Sequence, residues 1–172
     1  MSFFKKLFGG QDKKPNLDNG PMPTRGLNLQ FLPTPDNGIK FAQQFVDAVK
    51  KNDNIVLDYS VDTLNYVDKF LQQFSDEGLT VNDFAETIFV AGSYVGQVMI
   101  KNNNGIWITQ TEVNLPNGVS MMPIIVKLPN GTIADPIAKA FKRFHYGDTE
   151  NVKYFYHVFT VDKTNDEHDN GT

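Results

Sequence analysis

The chain has 172 residues, a formal charge of −4, 40% hydrophobic and 12% aromatic side chains, and no cysteine. Length and apolar content suffice for one compact core, while the lack of cysteine excludes disulfides, thiolate metal sites and cysteine nucleophiles and fits a reducing cytoplasm. Residues 1–26 carry five basic and two acidic side chains and the remainder eleven basic and eighteen acidic, a balance that repels nucleic acid and suits a basic protein partner.

The first eight residues intersperse Phe3, Phe4, Leu7 and Phe8 with Lys5 and Lys6, without the apolar run of a secretory signal. Wound as a helix, they gather Phe4, Leu7 and Phe8 on one side, a pattern suited to a membrane surface or to docking on the protein itself. Gly9 to Thr34, rich in Gly, Pro, Asn and Lys, reads as a linker that stays extended unless pinned.

The core begins near Asp36-Asn37-Gly38 with a helix to about Lys51, in which Phe41, Phe45, Ala48 and Val49 recur at helical spacing. A short extended piece, Ile55 to Asp58, follows. Ser60 is the expected N-cap, with Asp62 in the first turn, of a helix through Phe74 that buries Leu64, Val67, Leu71 and Phe74 and ends at Asp76-Glu77-Gly78.

The longest predicted element is a helix from Thr80 to Asn102. Its apolar residues form two stripes, one through Val81, Phe84, Ile88, Ala91, Val95 and Val98 and one through Ala85, Phe89, Gly92, Gly96 and Met99, so it is expected to be buried on most sides. Between Glu86 and Lys101 lie fourteen uncharged residues, short of the roughly 20 that span a bilayer. Gly92 and Gly96, one turn apart, each cost about 1 kcal/mol against alanine in a helix interior. Their presence predicts a close neighbour at the centre of the fold, with Tyr94 beside them.

After Asn102-Asn-Asn-Gly105 the chain turns β-branched and aromatic. Leu-Pro-Asn-Gly occurs at 115–118 and again at 128–131, predicting an antiparallel meander of strands near 106–113, 119–127 and 132–134, with Pro123 disturbing the middle one. Trp107 is expected to face the central helix. Asp135 and Pro136 supply a cap and a first-turn proline for a helix to Tyr146, closed by Gly147. For residues 149–161 the alternation also allows a strand, but Asp148 as cap and Glu150 in the first turn favour a helix.

The predicted organisation is a basic N-terminal segment and flexible linker over residues 1–34, one α+β domain over 35–161, and an acidic flexible tail over 162–172. Leu57-Asp-Tyr-Ser60, Gly92-Ser-Tyr-Val-Gly-Gln-Val98, Gly105-Ile-Trp107, Asp135-Pro-Ile-Ala-Lys-Ala-Phe141 and Phe155-Tyr156 together resemble a family of small uncharacterised bacterial domains, over about residues 38–161. Members of that family often carry Glu where this chain has Gln97. The resemblance implies a single α+β domain, and some similar small acidic proteins are immunity proteins that neutralise a secreted toxin.

The residues themselves supply no catalytic or metal motif and imply no cofactor. His145 and His157 could in principle join Glu86, Glu112 or Asp58 in an acid–base pair or metal site, but the spacing does not bring them together. His168 lies in the tail, and Ser93 lacks the strand-turn-helix setting of a nucleophile elbow. The leading expectation is a cytoplasmic protein-binding domain, an immunity-type inhibitor of a basic toxin. Its expected acidic face is Asp58, Asp62, Asp68, Asp76, Glu77, Asp83 and Glu86, with Tyr154 and Tyr156 as aromatic anchors. Gly92, Tyr94, Gly96 and Trp107 are assigned to structure. The alternatives are a membrane-peripheral accessory protein held by residues 1–8 and an enzyme whose site the sequence does not display.

Overall fold

The computed structural model describes residues 20–161 apart from 117, 118 and 120; the predicted 1–8 segment and the 162–172 tail lie outside them. Among the described residues, five α-helices run α1 Gly38–Asp53, α2 Leu64–Asp76, α3 Val81–Asn103, α4 Pro136–Tyr146 and α5 Val152–Thr160. Between α3 and α4 lie β1 Ile106–Thr109, β2 Ile124–Lys127 and β3 Ile133–Ala134. They form an antiparallel sheet in the order β1-β2-β3, with Trp107 opposite Val126 and Val126 opposite Ala134. The chain is an α+β protein.

Local chemistry sets most of these boundaries. Thr80 and Asp83 form a reciprocal capping box at the start of α3. Asp135 Oδ1 accepts the Ala138 N–H with Pro136 in the first turn of α4, and Gly147 closes that helix at φ 77°. Residues 149–161 are helical from Val152, and the cap is Asn151, whose Oδ1 accepts from the Tyr154 N–H; the expected cap, Asp148, lies instead in a 3-10 turn over Gly147–Glu150.

Three other expectations change. The Ser60 side chain caps nothing, and the chain enters α2 through a 3-10 turn, Val61–Thr63. β1 stops at Thr109 because Glu112 Oε1 takes the Thr109 N–H and hydroxyl and winds residues 110–112 into a 3-10 turn. β2 begins only after Pro123, which has no N–H to give the ladder.

α3 is the axis of the core, and every residue from Ala91 to Met99 is buried. It packs mainly against α1 and α4. A Cβ on Gly92 would stand 2.6 Å from the Ile137 Cα, and one on Gly96 2.2 Å from Trp107 Cη2 and 2.9 Å from Pro136 Cγ. Gly92 thus admits the α4 backbone, whereas Gly96 admits an indole. The Trp107 ring is wedged between Gly96 and Gly38, and its Nε1 donates to Gln97 Oε1 at 3.1 Å.

The Leu57-Asp-Tyr-Ser segment is fastened to the same helix. Tyr59 adopts φ 65°, which only Gly, Asn and Asp enter readily. It is held there by its N–H donating to Tyr94 Oη at 3.0 Å, by Asn102 Nδ2 donating to its carbonyl at 2.9 Å, and by stacking of its ring on Tyr94 at 5.0 Å. Tyr94 Oη also hydrogen-bonds Thr63 Oγ1 at 2.6 Å, so the fully buried hydroxyl is satisfied by both flanking elements.

Residues 20–34 are pinned. Met22, Leu27, Leu29 and Phe31 pack against the core, and Arg25 forks onto Glu86 at 2.6 and 2.7 Å while also donating to the Asn82 carbonyl. This part of the predicted flexible linker is a strap across the N-terminal end of α3.

Candidate functional site

The seven carboxylates expected on one acidic face have different fates. Asp68 is 6% exposed and lies inside, between α2, α4 and α5. Its Oδ1 accepts from Arg143 Nε and from the Val152 N–H, both at 2.9 Å, and its Oδ2 from the Lys153 N–H at 3.3 Å. It therefore neutralises a buried guanidinium and caps α5 together, two uses of a negative charge at a helix N-terminus. Asp83 is spent in the α3 capping box, and Asp58 accepts from the Ser60 N–H in a tight turn. Asp62 is exposed and faces Lys153 at 3.2 Å.

Glu86 belongs to the strap. Hydrogen bonds from Arg25, with help from the Asn28 N–H and against the effect of burial, hold its carboxyl at about 2 instead of the ordinary 4.5. A carboxylate whose folded pKa lies below its unfolded one stabilises above the unfolded value and loses that contribution as pH falls through the folded one. The strap is accordingly expected to loosen between about pH 4.5 and 2, ahead of the core. Faster amide exchange at Asn28 than at Val95 over that window would show it, and Glu86→Gln should flatten the response.

Asp76 and Glu77 remain on the surface, at the end of α2. They border an open groove of about 830 Å³ whose wall also includes Asn65, Lys69, Arg143, Asp148 and Asn151. Arg143, 2% exposed, ties this rim together. Besides Asp68 it donates through Nη1 to Gln72 Oε1 at 2.7 Å and through Nη2 to Asp148 Oδ1 at 2.6 Å, and Gln72 Nε2 in turn donates to Asp76 Oδ1 at 2.7 Å. Two rim carboxylates are thus tied to one buried cation, the 88%-exposed Asp148 directly and Asp76 through Gln72. The sequence reading had no place for Arg143, Gln72 or Asp148 in the site. A signal was present, because Arg143 falls on the apolar stripe of α4 beside Ala140 and Phe144, and Asp68 between Leu64 and Leu71 on that of α2.

Of the aromatic anchors, Tyr154 is 69% exposed, whereas Tyr156 is buried, its hydroxyl accepting from Asn103 Nδ2 at 3.1 Å. Tyr156 is a packing residue. The Ser93 hydroxyl, fully buried, donates to the Phe89 carbonyl within its own helix. Among the described residues, no group of three His, Asp or Glu side chains is arranged to hold a metal ion, and no helix is long and apolar enough to cross a membrane.

Comparison with family models, curated proteins and solved structures returns no match. What the fold and the groove define is an α+β domain with a hydrogen-bonded, carboxylate-rimmed surface.

Proposed function

We propose that this chain is a bacterial cytoplasmic binding protein of the immunity type, an inhibitor that neutralises a cognate toxin by covering a basic surface of it. The observation carrying this reading is the preorganised rim: Asp76 and Asp148 are exposed to a partner yet positioned by Gln72 and Arg143. A rim already in place loses little side-chain entropy on binding. Exposed carboxylates on a chain of net charge −4 also speed encounter with a cationic partner. In this mechanism the groove receives lysine or arginine side chains of the toxin, and contact around it sets the dissociation rate.

The test compares wild-type protein with the double variant Asp76→Lys/Glu77→Lys, since among the described residues these side chains bond Gln72 and Gln73 of α2. A single basic protein captured in equal stoichiometry from native lysate, whose toxicity the purified chain abolishes, supports the proposal. Its association should slow by roughly tenfold or more with the variant at low salt. Equal binding by the two proteins, or a partner whose toxicity is untouched, counts against it.

A further inference from the structure

α5 reads Val-Lys-Tyr-Phe-Tyr-His-Val-Phe-Thr, apolar on nearly every side, a composition expected of a helix buried all round. Its inner face is buried through Val152 and Tyr156, and Phe155 and Phe159 pack on the core. The outer face is open: Tyr154 and Val158, with Val161 directly after the last turn, at i, i+4 and i+7, are 69, 50 and 64% exposed. We infer that this stripe is the docking surface for the apolar side of residues 3–8 of the same chain.

Three observations select that occupant. The strap fixes where the preceding residues start, because Gly20 borders a small cavity shared with Phe144 and His145 in the last turn of α4, which leads through residues 147–150 into α5. From there the twelve residues back to Phe8 reach up to about 40 Å. That is enough for a domain of this size, with a radius of gyration of about 14 Å, and such a tether supplies an effective concentration on the order of millimolar. The charges also match. Residues 1–19 hold four lysines against two aspartates, whereas residues 162–172, directly after the stripe, hold four carboxylates against one lysine. Finally the spacings agree, since Phe4, Leu7 and Phe8 stand at i, i+3 and i+4 in the sequence, and Tyr154, Val158 and Val161 at i, i+4 and i+7. Tyr154 is thereby assigned to the chain itself, outside the toxin-binding surface.

Because the chain has no cysteine, a disulfide pair reports the contact directly. The double variant Phe4→Cys/Val158→Cys is oxidised mildly at micromolar concentration beside a control, Phe4→Cys/Val56→Cys, Val56 being 70% exposed in the loop before α2. Circular dichroism establishes that both are folded. The inference expects the intramolecular disulfide to form about tenfold faster in the first pair than in the second, with the difference shrinking when Lys5→Glu and Lys6→Glu are added. Equal rates overturn it. So do disulfides between molecules that increase with protein concentration, which would make a second copy the occupant. Sedimentation with phosphatidylserine-containing vesicles that requires residues 1–8, with no preference between the pairs in solution, would assign the segment to a lipid surface and likewise overturn it.

Discussion

Asp68→Ala is expected to be the most destabilising single substitution of a charged residue in this domain, lowering the free energy of unfolding by about 3–5 kcal/mol. The change removes the acceptor of Arg143 Nε and of the first N–H groups of α5. The guanidinium, 2% exposed, then lacks its buried counter-charge. A loss of that size is a large part of the 5–15 kcal/mol typical of a domain, and at the usual urea dependence it moves the midpoint down by roughly 1–3 M. Asp76→Ala, on the exposed end of the same helix, should barely shift it. The pair also tests whether ionic character as such matters: with Asp68→Leu and Arg143→Met combined, most of the loss should return, because a well-packed apolar pair often matches a buried ion pair. Equal urea midpoints for Asp68→Ala and Asp76→Ala would show that the buried pair is not a keystone.

Gly92→Ala is the second large effect. The added Cβ would lie 2.6 Å from the Ile137 Cα and 3.1 Å from both the Pro136 carbonyl and the Ala140 Cβ, and a backbone neighbour moves only if all of α4 moves. Overpacking of this kind costs about 1–3 kcal/mol or more, against the roughly 1 kcal/mol that alanine returns in helix propensity. A clear net fall in thermal midpoint is expected. Gly96→Ala meets a side chain instead, with Trp107 Cη2 at 2.2 Å, so it should be partly rescued by Trp107→Leu. The cycle should show a coupling of about 1 kcal/mol or more. No side-chain truncation can rescue Gly92→Ala, whereas Gly26→Ala, with nothing within 4 Å, should be close to neutral. If Gly92→Ala melts with Gly26→Ala, the close approach of α3 and α4 is not a constraint on the sequence.

These two predictions separate what could be read from the chain from what could not. Two glycines in a helix interior announced a close neighbour, and the structure supplies one at each. Trp107 was expected to face this helix, and it does; that its indole sits on Gly96 while the α4 backbone fills the space at Gly92 was not legible, because that pairing is set only by the folded chain. The acidic face shows the same division. Seven carboxylates fall within residues 58–86, yet sequence proximity cannot say which are solvated. Asp68 went to the interior, Glu86 to the strap, and Asp83 to a helix cap. The groove needed Arg143, which is 75 residues from Asp68.

Local information, carried by residues within one helical turn or strand of each other, determined the helices, the Thr80 and Asp135 caps, the meander and the nearly all-round burial of α3. Capping hydrogen bonds and apolar periodicity act over three or four positions, so they are written in the order of residues. Even so, Glu112 could shorten a strand and Asn151 could displace Asp148 as a cap, since competing acceptors within reach of one N–H differ by little in energy. Only the tertiary structure decided which charges are buried, that residues 20–34 are strapped down, and that Asp148 directly and Asp76 through Gln72 are tied to one buried cation. Those arrangements join residues about 60–85 positions apart; they exist only once packing has excluded water from both partners, which no single stretch of sequence specifies.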